Sequence, residues 1–221
     1  MEENVIELKN VSKSFSTPQG VRNVLSDFSL TVGDGVFLGI KGESGAGKST
    51  LVSIIAGLQK ADSGEILVNG KDISSMGDDE ISRFRNEEIG FVSQEQSFLE
   101  NMTVLENAAL PFFLGRKRKC GGDEAVARAR TLLEEFGIGH LSEISPASIS
   151  GGENRRLLIA RALMNDPKII IADEPTDAVS RKQAEEIISI FRQLSRRGKT
   201  VVLVTHDEEA LKMCDEVFYL N

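Results

Sequence analysis

The segment Gly42-Glu43-Ser44-Gly45-Ala46-Gly47-Lys48-Ser49 matches the pattern GxxxxGK[ST], and Thr50 follows it. It lies after the β-branched run Val36 to Ile40 and before the apolar LVSIIAGL, the strand, glycine loop and helix order that phosphate binding requires. Positions without side chains let consecutive backbone N–H groups curl round phosphate oxygens, and the helix N-terminus adds positive potential. Lys48 can then reach β and γ phosphates, and Ser49 can hold Mg²⁺. A glycine-rich turn that happens to contain Lys-Ser is the alternative, and the context on both sides opposes it.

Further candidates lie downstream. The run Ile169-Ile170-Ile171-Ala172 ends in two carboxylates, Asp173 and Glu174. Beside a phosphate loop, Asp173 can orient a Mg²⁺ shell and Glu174 can accept a proton from an attacking water; a solvated acidic turn is the bland alternative. Ser150-Gly151-Gly152-Glu153 opens a helix and offers a second anion-binding terminus, which one nucleotide does not obviously need, so an ordinary N-capped helix stays open. Taken alone, Gln94 after Ile89-Gly90-Phe91-Val92 is a polar strand end, His206 after VVLVT a capping or packing residue, and Phe15 a core aromatic.

Periodicity and turn residues outline the strands and helices around these residues. Val5 to Leu8 and Val36 to Ile40 read as short strands, and GEILVNGKDI as a strand ending in the turn Asn69-Gly70, so the N-terminal portion carries antiparallel structure. Val126, Ala129, Leu133 and Phe136 step by three and four, predicting a helix with Asp123 as N-cap and Gly137 just past its end. A second helix is expected from Ser150-Gly151-Gly152 to about Met164. A third should run from Ser180 to Arg197, burying Ile187, Ile190, Phe191 and Leu194. The apolar strands KIIIAD and TVVLVTHD flank it, the pattern of a buried parallel sheet with crossover helices. The expectation is one α/β domain over residues 1–221, interrupted by a helical insertion at roughly 97–163.

Composition bounds the function. With 221 residues, 40% hydrophobic and 27% charged, the chain can bury a core, and a net charge of −8 opposes a broad nucleic-acid footprint. Cys120 and Cys214 are too few for a disulfide framework, no secretory signal is visible at MEENVIELKN, and the apolar runs are strand-sized. A cytoplasmic protein that something else anchors at a membrane is expected. The one basic run, Arg116-Lys117-Arg118-Lys119, reads as a solvated loop or a contact for an anionic surface.

In this order the residues resemble the ATP-binding subunits of ABC transporters, a P-loop NTPase fold with a mostly parallel core sheet, an antiparallel N-terminal β portion and an inserted helical subdomain. The resemblance covers essentially the whole chain: Phe15 at the adenine-stacking position, Gly42 to Thr50 as the Walker A loop, Gln94 as the Q-loop, Ser150 to Glu153 as the signature, Asp173 and Glu174 as the Walker B pair, and His206 as the switch histidine. It implies that ATP is held by Phe15 and the loop Gly42, Glu43, Ser44, Gly45, Ala46, Gly47, Lys48, Ser49 and Thr50. It implies Mg²⁺ on Ser49, Gln94 and Asp173, with Glu174, His206, Lys48 and Gln94 serving hydrolysis. It also implies that a second copy closes its signature, Ser150, Gly151, Gly152 and Glu153, over the nucleotide. The partner so implied is an integral membrane permease, with the cassette peripheral on the cytoplasmic face.

Arg85 to Val92, Met102 to Asn107 and Ala172 to Thr176 resemble the lipoprotein-releasing and macrolide-exporting subgroup, and Glu153 for Gln is shared with it. A related subunit instead regulates wall remodelling in cell division, which is the alternative reading. A soluble ABC-type ATPase of DNA repair or translation should carry a coiled coil or two cassettes, and a small-substrate kinase should lack the signature. The sequence departs from the pattern at Ile149, at Asn154-Arg155-Arg156 where Arg-Gln-Arg is usual, and at Asp177-Ala178-Val179-Ser180. There the family expects a small residue, a variable one, Leu and Asp; Ser180 thus lacks a carboxylate, and altered coupling between sites is expected. The chain stops at Tyr219-Leu220-Asn221, about where the family continues through a turn and another short strand.

Overall fold

The computed structural model describes residues 4–18, 20–95, 97–115, 121–177 and 179–220. The basic run 116–119, Cys120 and Ala178 lie outside them. The strands are β1 (Asn4–Thr17), β2 (Gly20–Gly33), β3 (Phe37–Gly42), β4 (Ser63–Val68), β5 (Lys71–Asp72), β6 (Ile89–Val92), β7 (Ile169–Asp173), β8 (Thr200–Val204) and β9 (Glu216–Leu220). The helices are α1 (Lys48–Ile55), α2 (Asp78–Glu88), α3 (Val104–Leu114), α4 (Gly122–Glu135), α5 (Gly151–Ala162), α6 (Arg181–Arg196) and α7 (Glu208–Leu211). They fall into two compact units, Met1–Ser82 with Arg192–Asn221, and Arg83–Phe191.

In the first unit β1 pairs antiparallel with both β2 and β4, and β4 turns into β5 at Asn69-Gly70, where φ is 50° and 69° as a tight hairpin requires. β1 is far longer than the expected Val5–Leu8. Register shifts break its alternation between Leu8 and Val11 and again up to Ser14, so its polar second half carries no period-two signal. β3 is parallel to β8 and β9, and the buried positions of β3 and β8 fit strands covered on both faces.

Asp62 ties the start of β4 to β1: it accepts from Lys13 Nζ (2.7 Å), the Ser14 N–H (2.7 Å) and the Ser14 hydroxyl (2.8 Å). The Lys13 bond first, then those from Ser14, hold its carboxyl down at about 2. A carboxyl lowered on folding stabilises above its unfolded value and loses that contribution as pH falls through the folded one. Asp62→Asn is therefore expected to lower the melting temperature by a constant amount at pH 5 to 7, with the gap to the wild type closing towards pH ~2. Melting curves across that range check it.

In the second unit β6 and β7 are parallel, with Ile89 opposite Ile169 and Val92 opposite Ala172. Between 97 and 163 the described residues form α3, α4, short 3-10 turns and most of α5. α3 opens on a capping box between Thr103 and Glu106, and buried Asn107 braces the preceding loop through Leu99, Met102 and Thr103. α4 starts two residues earlier than expected: Gly121 rather than Asp123 is the N-cap, Asp123 sits in the first turn near the positive helix end, and Ala125 rather than Val126 is buried. Gly137 follows the helix at φ 71°, as expected. α5 keeps Ser150 as its N-cap. On α6, Ile188 takes the buried place expected of Ile190, beside Ile187, Phe191 and Leu194.

Candidate nucleotide site

The phosphate loop follows β3 directly. Gly45 and Gly47 adopt φ of 82° and 98°, and Gly47 becomes the N-cap of α1 without any side-chain cap or acidic residue in the first turn. The α1 N-terminus thus keeps its positive potential unopposed by a local anion. A methyl group on Gly47 would lie 2.5 Å from Val24 Cγ1, so both backbone conformation and space demand glycine there. Lys48 Nζ donates to the carbonyls of Gly42 (2.8 Å) and Glu43 (2.9 Å), folding its ammonium back over the loop.

Arg22 carries no motif that marks it in the sequence. It stands opposite Phe15 in the β1–β2 ladder and its Nη2 donates to the Gly45 carbonyl at 2.8 Å, so the strand pair carrying Phe15 is fastened to the phosphate loop. Phe15 is half-buried, with Lys13 Nζ 5.5 Å from its ring centroid. His206 is exposed just beyond β8, where the Thr205 N–H donates to the Ile40 carbonyl (3.3 Å), so it leaves β8 beside the strand that feeds the loop. Phe15, the loop Gly42 to Thr50 and His206 therefore all belong to the first unit.

The other predicted residues belong to the second unit. Asp173 closes β7 and is 7% exposed. Glu174 follows in the left-handed region at φ 46°, a conformation a residue with a β-carbon adopts at a cost and one that marks functional turns. Gln94 leaves β6, the neighbouring parallel strand, and its Nε2 donates to Asp177 Oδ2 at 2.8 Å. Carboxylates and amide thus emerge at the same ends of two paired strands, where ligands bind in parallel sheets.

Ser150 and Glu153 form a reciprocal capping box. The Ser150 N–H and hydroxyl each donate to Glu153 Oε2 at 2.7 Å, and the Glu153 N–H returns to the hydroxyl at 3.4 Å. The Ser150 hydroxyl first, then its N–H, draw the Glu153 carboxyl below its usual range. At α6 the same device recurs: the Ser180 N–H and hydroxyl donate to Gln183 Oε1 at 3.1 and 2.9 Å. Gly152 is buried against the amide of Gln183, which a methyl group would strike.

The ABC transporter family profile matches residues 25–177. The macrolide export ATP-binding/permease protein MacB of Mannheimia succiniciproducens is 38% identical over 218 residues, 99% of this chain and 33% of that protein. ABC transporter ATP-binding protein YvrO of Bacillus subtilis is 38% identical over 217 residues, 98% of this chain and 93% of that protein. The chain spans about a third of the length of the macrolide-export relatives it matches. A dimeric, post-hydrolysis structure of the ATP-binding cassette MJ0796, bound to ADP and Pi, superimposes with a TM-score of 0.92 at 35% identity, covering 98% of this chain and 94% of that one. With a family profile that matches most of the chain and relatives 38% identical along nearly all of it, the chain belongs to the ABC transporter family.

Proposed function

We propose that two copies of this chain sandwich ATP head to tail, hydrolyse it with Mg²⁺, and drive a membrane permease of the export or lipoprotein-extraction type. The observation that carries the two-copy reading is the contrast between two helix N-termini. That of α1 is glycine-rich and uncapped, ready to hold phosphate by itself, whereas that of α5 is exposed at Ser150, where Glu153 holds the Ser150 N–H and hydroxyl and the box does not use the Gly151 and Gly152 amides. A second anion-binding terminus of that kind suits a nucleotide brought by another molecule. The fusion of ATP-binding and permease parts in the MacB relatives supports a permease partner, and among the described residues no helix is long and apolar enough to cross a membrane. The reading places the cassette on the cytoplasmic face, with residues 97–163 as its helical insertion.

The residue roles follow from their chemistry. Phe15 offers a flat face to adenine. The amides of Gly42 to Thr50 and the Lys48 ammonium take the triphosphate, and Lys48 exchanges its two loop carbonyls for phosphate oxygens when ATP arrives. The donors meant for Mg²⁺, the Ser49 hydroxyl, the Asp173 carboxylate and the Gln94 amide oxygen, are all hard oxygens and fit that cation. When bound, Mg²⁺ neutralises charge developing on the phosphates. Glu174 accepts the proton of the attacking water, His206 orients that water and the γ-phosphate, and Ser150 with the Gly151 and Gly152 amides binds γ-phosphate oxygens of the partner's nucleotide.

Turnover per molecule should rise with protein concentration if the site is shared between copies; a rate independent of concentration, with monomers throughout, contradicts it. Ser180 bears on communication between the sites. Asp is as good an N-cap as Ser, so Ser180→Asp preserves α6. The variant is expected to raise the Hill coefficient for ATP turnover towards ~2, the number of sites in a two-copy assembly. Unchanged turnover and cooperativity would refute a role for this position in coupling.

A further inference from the structure

Two of the positions where the chain departs from its family's pattern, Arg155 and Asp177, meet around Gln94. Arg155 lies in the first turns of α5 and is 3% exposed, an expensive place for a cation unless its donors are used. Its Nη1 donates to the carbonyls of Ser93 (3.1 Å) and Gln94 (2.7 Å), and its Nη2 to the carbonyl of Asp177 (3.3 Å). Burial lowers the guanidinium pKa from its usual value, and the Asp177 charge opposes that shift. The Asp177 carboxylate itself receives the Gln94 amide, while the Asp177 N–H donates to the Glu174 carbonyl at 3.2 Å. One guanidinium thus clamps the backbone on which Gln94 sits to the turn that carries Glu174.

The amide orientation follows from the partner. An ionised carboxylate only accepts, so Gln94 must turn its NH₂ towards Asp177 and its Oε1 the other way. Oε1 is the atom able to meet a divalent cation or accept from water, and the NH₂ group cannot do either.

We propose that Asp177 and Arg155 are positioning residues that fix Gln94 with its Oε1 presented to the reacting centre, Asp177 by setting the amide orientation and Arg155 by clamping the backbone of residues 93, 94 and 177. The proposal rests on Gln94 acting at Mg²⁺ or the water, as argued above. Asp177→Asn keeps shape but offers both a donor and an acceptor, so the Gln94 amide gains a second orientation. Arg155→Lys keeps the charge without the planar fork, and Arg155→Gln removes both.

The first measurement needs no turnover. In nucleotide-free protein the side-chain ¹⁵N amide signal of Gln94, assigned by its disappearance in Gln94→Ala, is expected to be single and protected from exchange. In Asp177→Asn it shifts, and its protection falls by about tenfold, as for loss of a fixed outer partner. In parallel, turnover of Asp177→Asn and of Arg155→Gln is expected to fall by about tenfold, with Arg155→Lys between them and the wild type, while ATP affinity measured without Mg²⁺ stays put. The double variant Gln94→Ala with Asp177→Asn should be no slower than Gln94→Ala alone, since both act through one group.

An unchanged Gln94 signal in Asp177→Asn, or losses that multiply in the double variant, overturns the proposal while leaving the role of Gln94 intact. Wild-type turnover in Gln94→Ala overturns that role and the proposal with it. If Arg155→Gln does not fold, wild-type turnover in Arg155→Lys together with an unchanged Gln94 signal counts against the clamp.

Discussion

Glu174→Gln is expected to lower ATP turnover by at least about a hundredfold while ATP still binds, because a general base contributes that much or more and the amide cannot take the proton. The substitution is close to isosteric, and Gln can hold the turn at φ 46° no worse than Glu. Nothing in the phosphate loop changes, since Lys48 and the α1 amides act independently of this side chain. With hydrolysis blocked and binding intact, the ATP-bound assembly should accumulate. Size measurement should then show a dimer with ATP and a monomer without it, while the wild type returns to monomer as ATP is consumed. Near-normal turnover in Glu174→Gln would remove Glu174 from the mechanism.

Ser150→Arg should reduce hydrolysis to background and leave ATP affinity within about twofold, the pattern of an interaction made on the way to the transition state rather than in simple binding. Ser150 is exposed at the N-cap of α5, so the larger side chain meets no packed neighbour. Its loss as a cap costs about 1 kcal/mol, too little to unfold the chain. A cation at a helix N-terminus is poorly placed electrostatically, and its bulk occupies the space where a phosphate would approach. Titration with a fluorescent ATP analogue, beside a phosphate-release assay, separates the two quantities. Loss of binding together with hydrolysis would mean that the signature serves its own chain's nucleotide.

What was legible in the sequence, and what was not, divides along physical lines. The phosphate loop is written in residue types because backbone curvature demands glycine and charge demands lysine, so Gly45, Gly47 and Lys48 stand where the pattern places them. β7 and β8 are apolar apart from Asp173 at the end of one and Thr200 at the start of the other, and announce themselves, as does the helix opening at Ser150. β1 and β2 do not: bulges break their alternation, and most of β2 is exposed. α2 is missed for a similar reason, since DDEISRFRNEE buries only Ile81 and Phe84 and reads as a polar connection. Ile188 for Ile190, and Ala125 for Val126, are shifts of one or two positions that change the buried face of a helix without changing its period.

The interactions hardest to foresee are those of Arg22 and Arg155. Both donate to backbone carbonyls, of Gly45 in one case and of Ser93, Gln94 and Asp177 in the other. A carbonyl is present at every residue, so such a partner leaves no mark in the sequence. The Arg155 position shows only as a departure from a family pattern, and its meaning emerges when Asp177, a second departure, is seen to accept from Gln94.

If each reacting site is shared by two copies, mixing two silent variants should restore activity. Lys48→Ala should be inactive because its own loop cannot hold the triphosphate, and Ser150→Arg because its signature cannot close on a partner's. In a mixed dimer one site combines both defects, but the other joins an intact loop from the Ser150→Arg copy to an intact signature from the Lys48→Ala copy. The mixture is expected to hydrolyse ATP although neither parent does. A mixture as silent as its parents, under conditions where ATP still brings the two together, would contradict it.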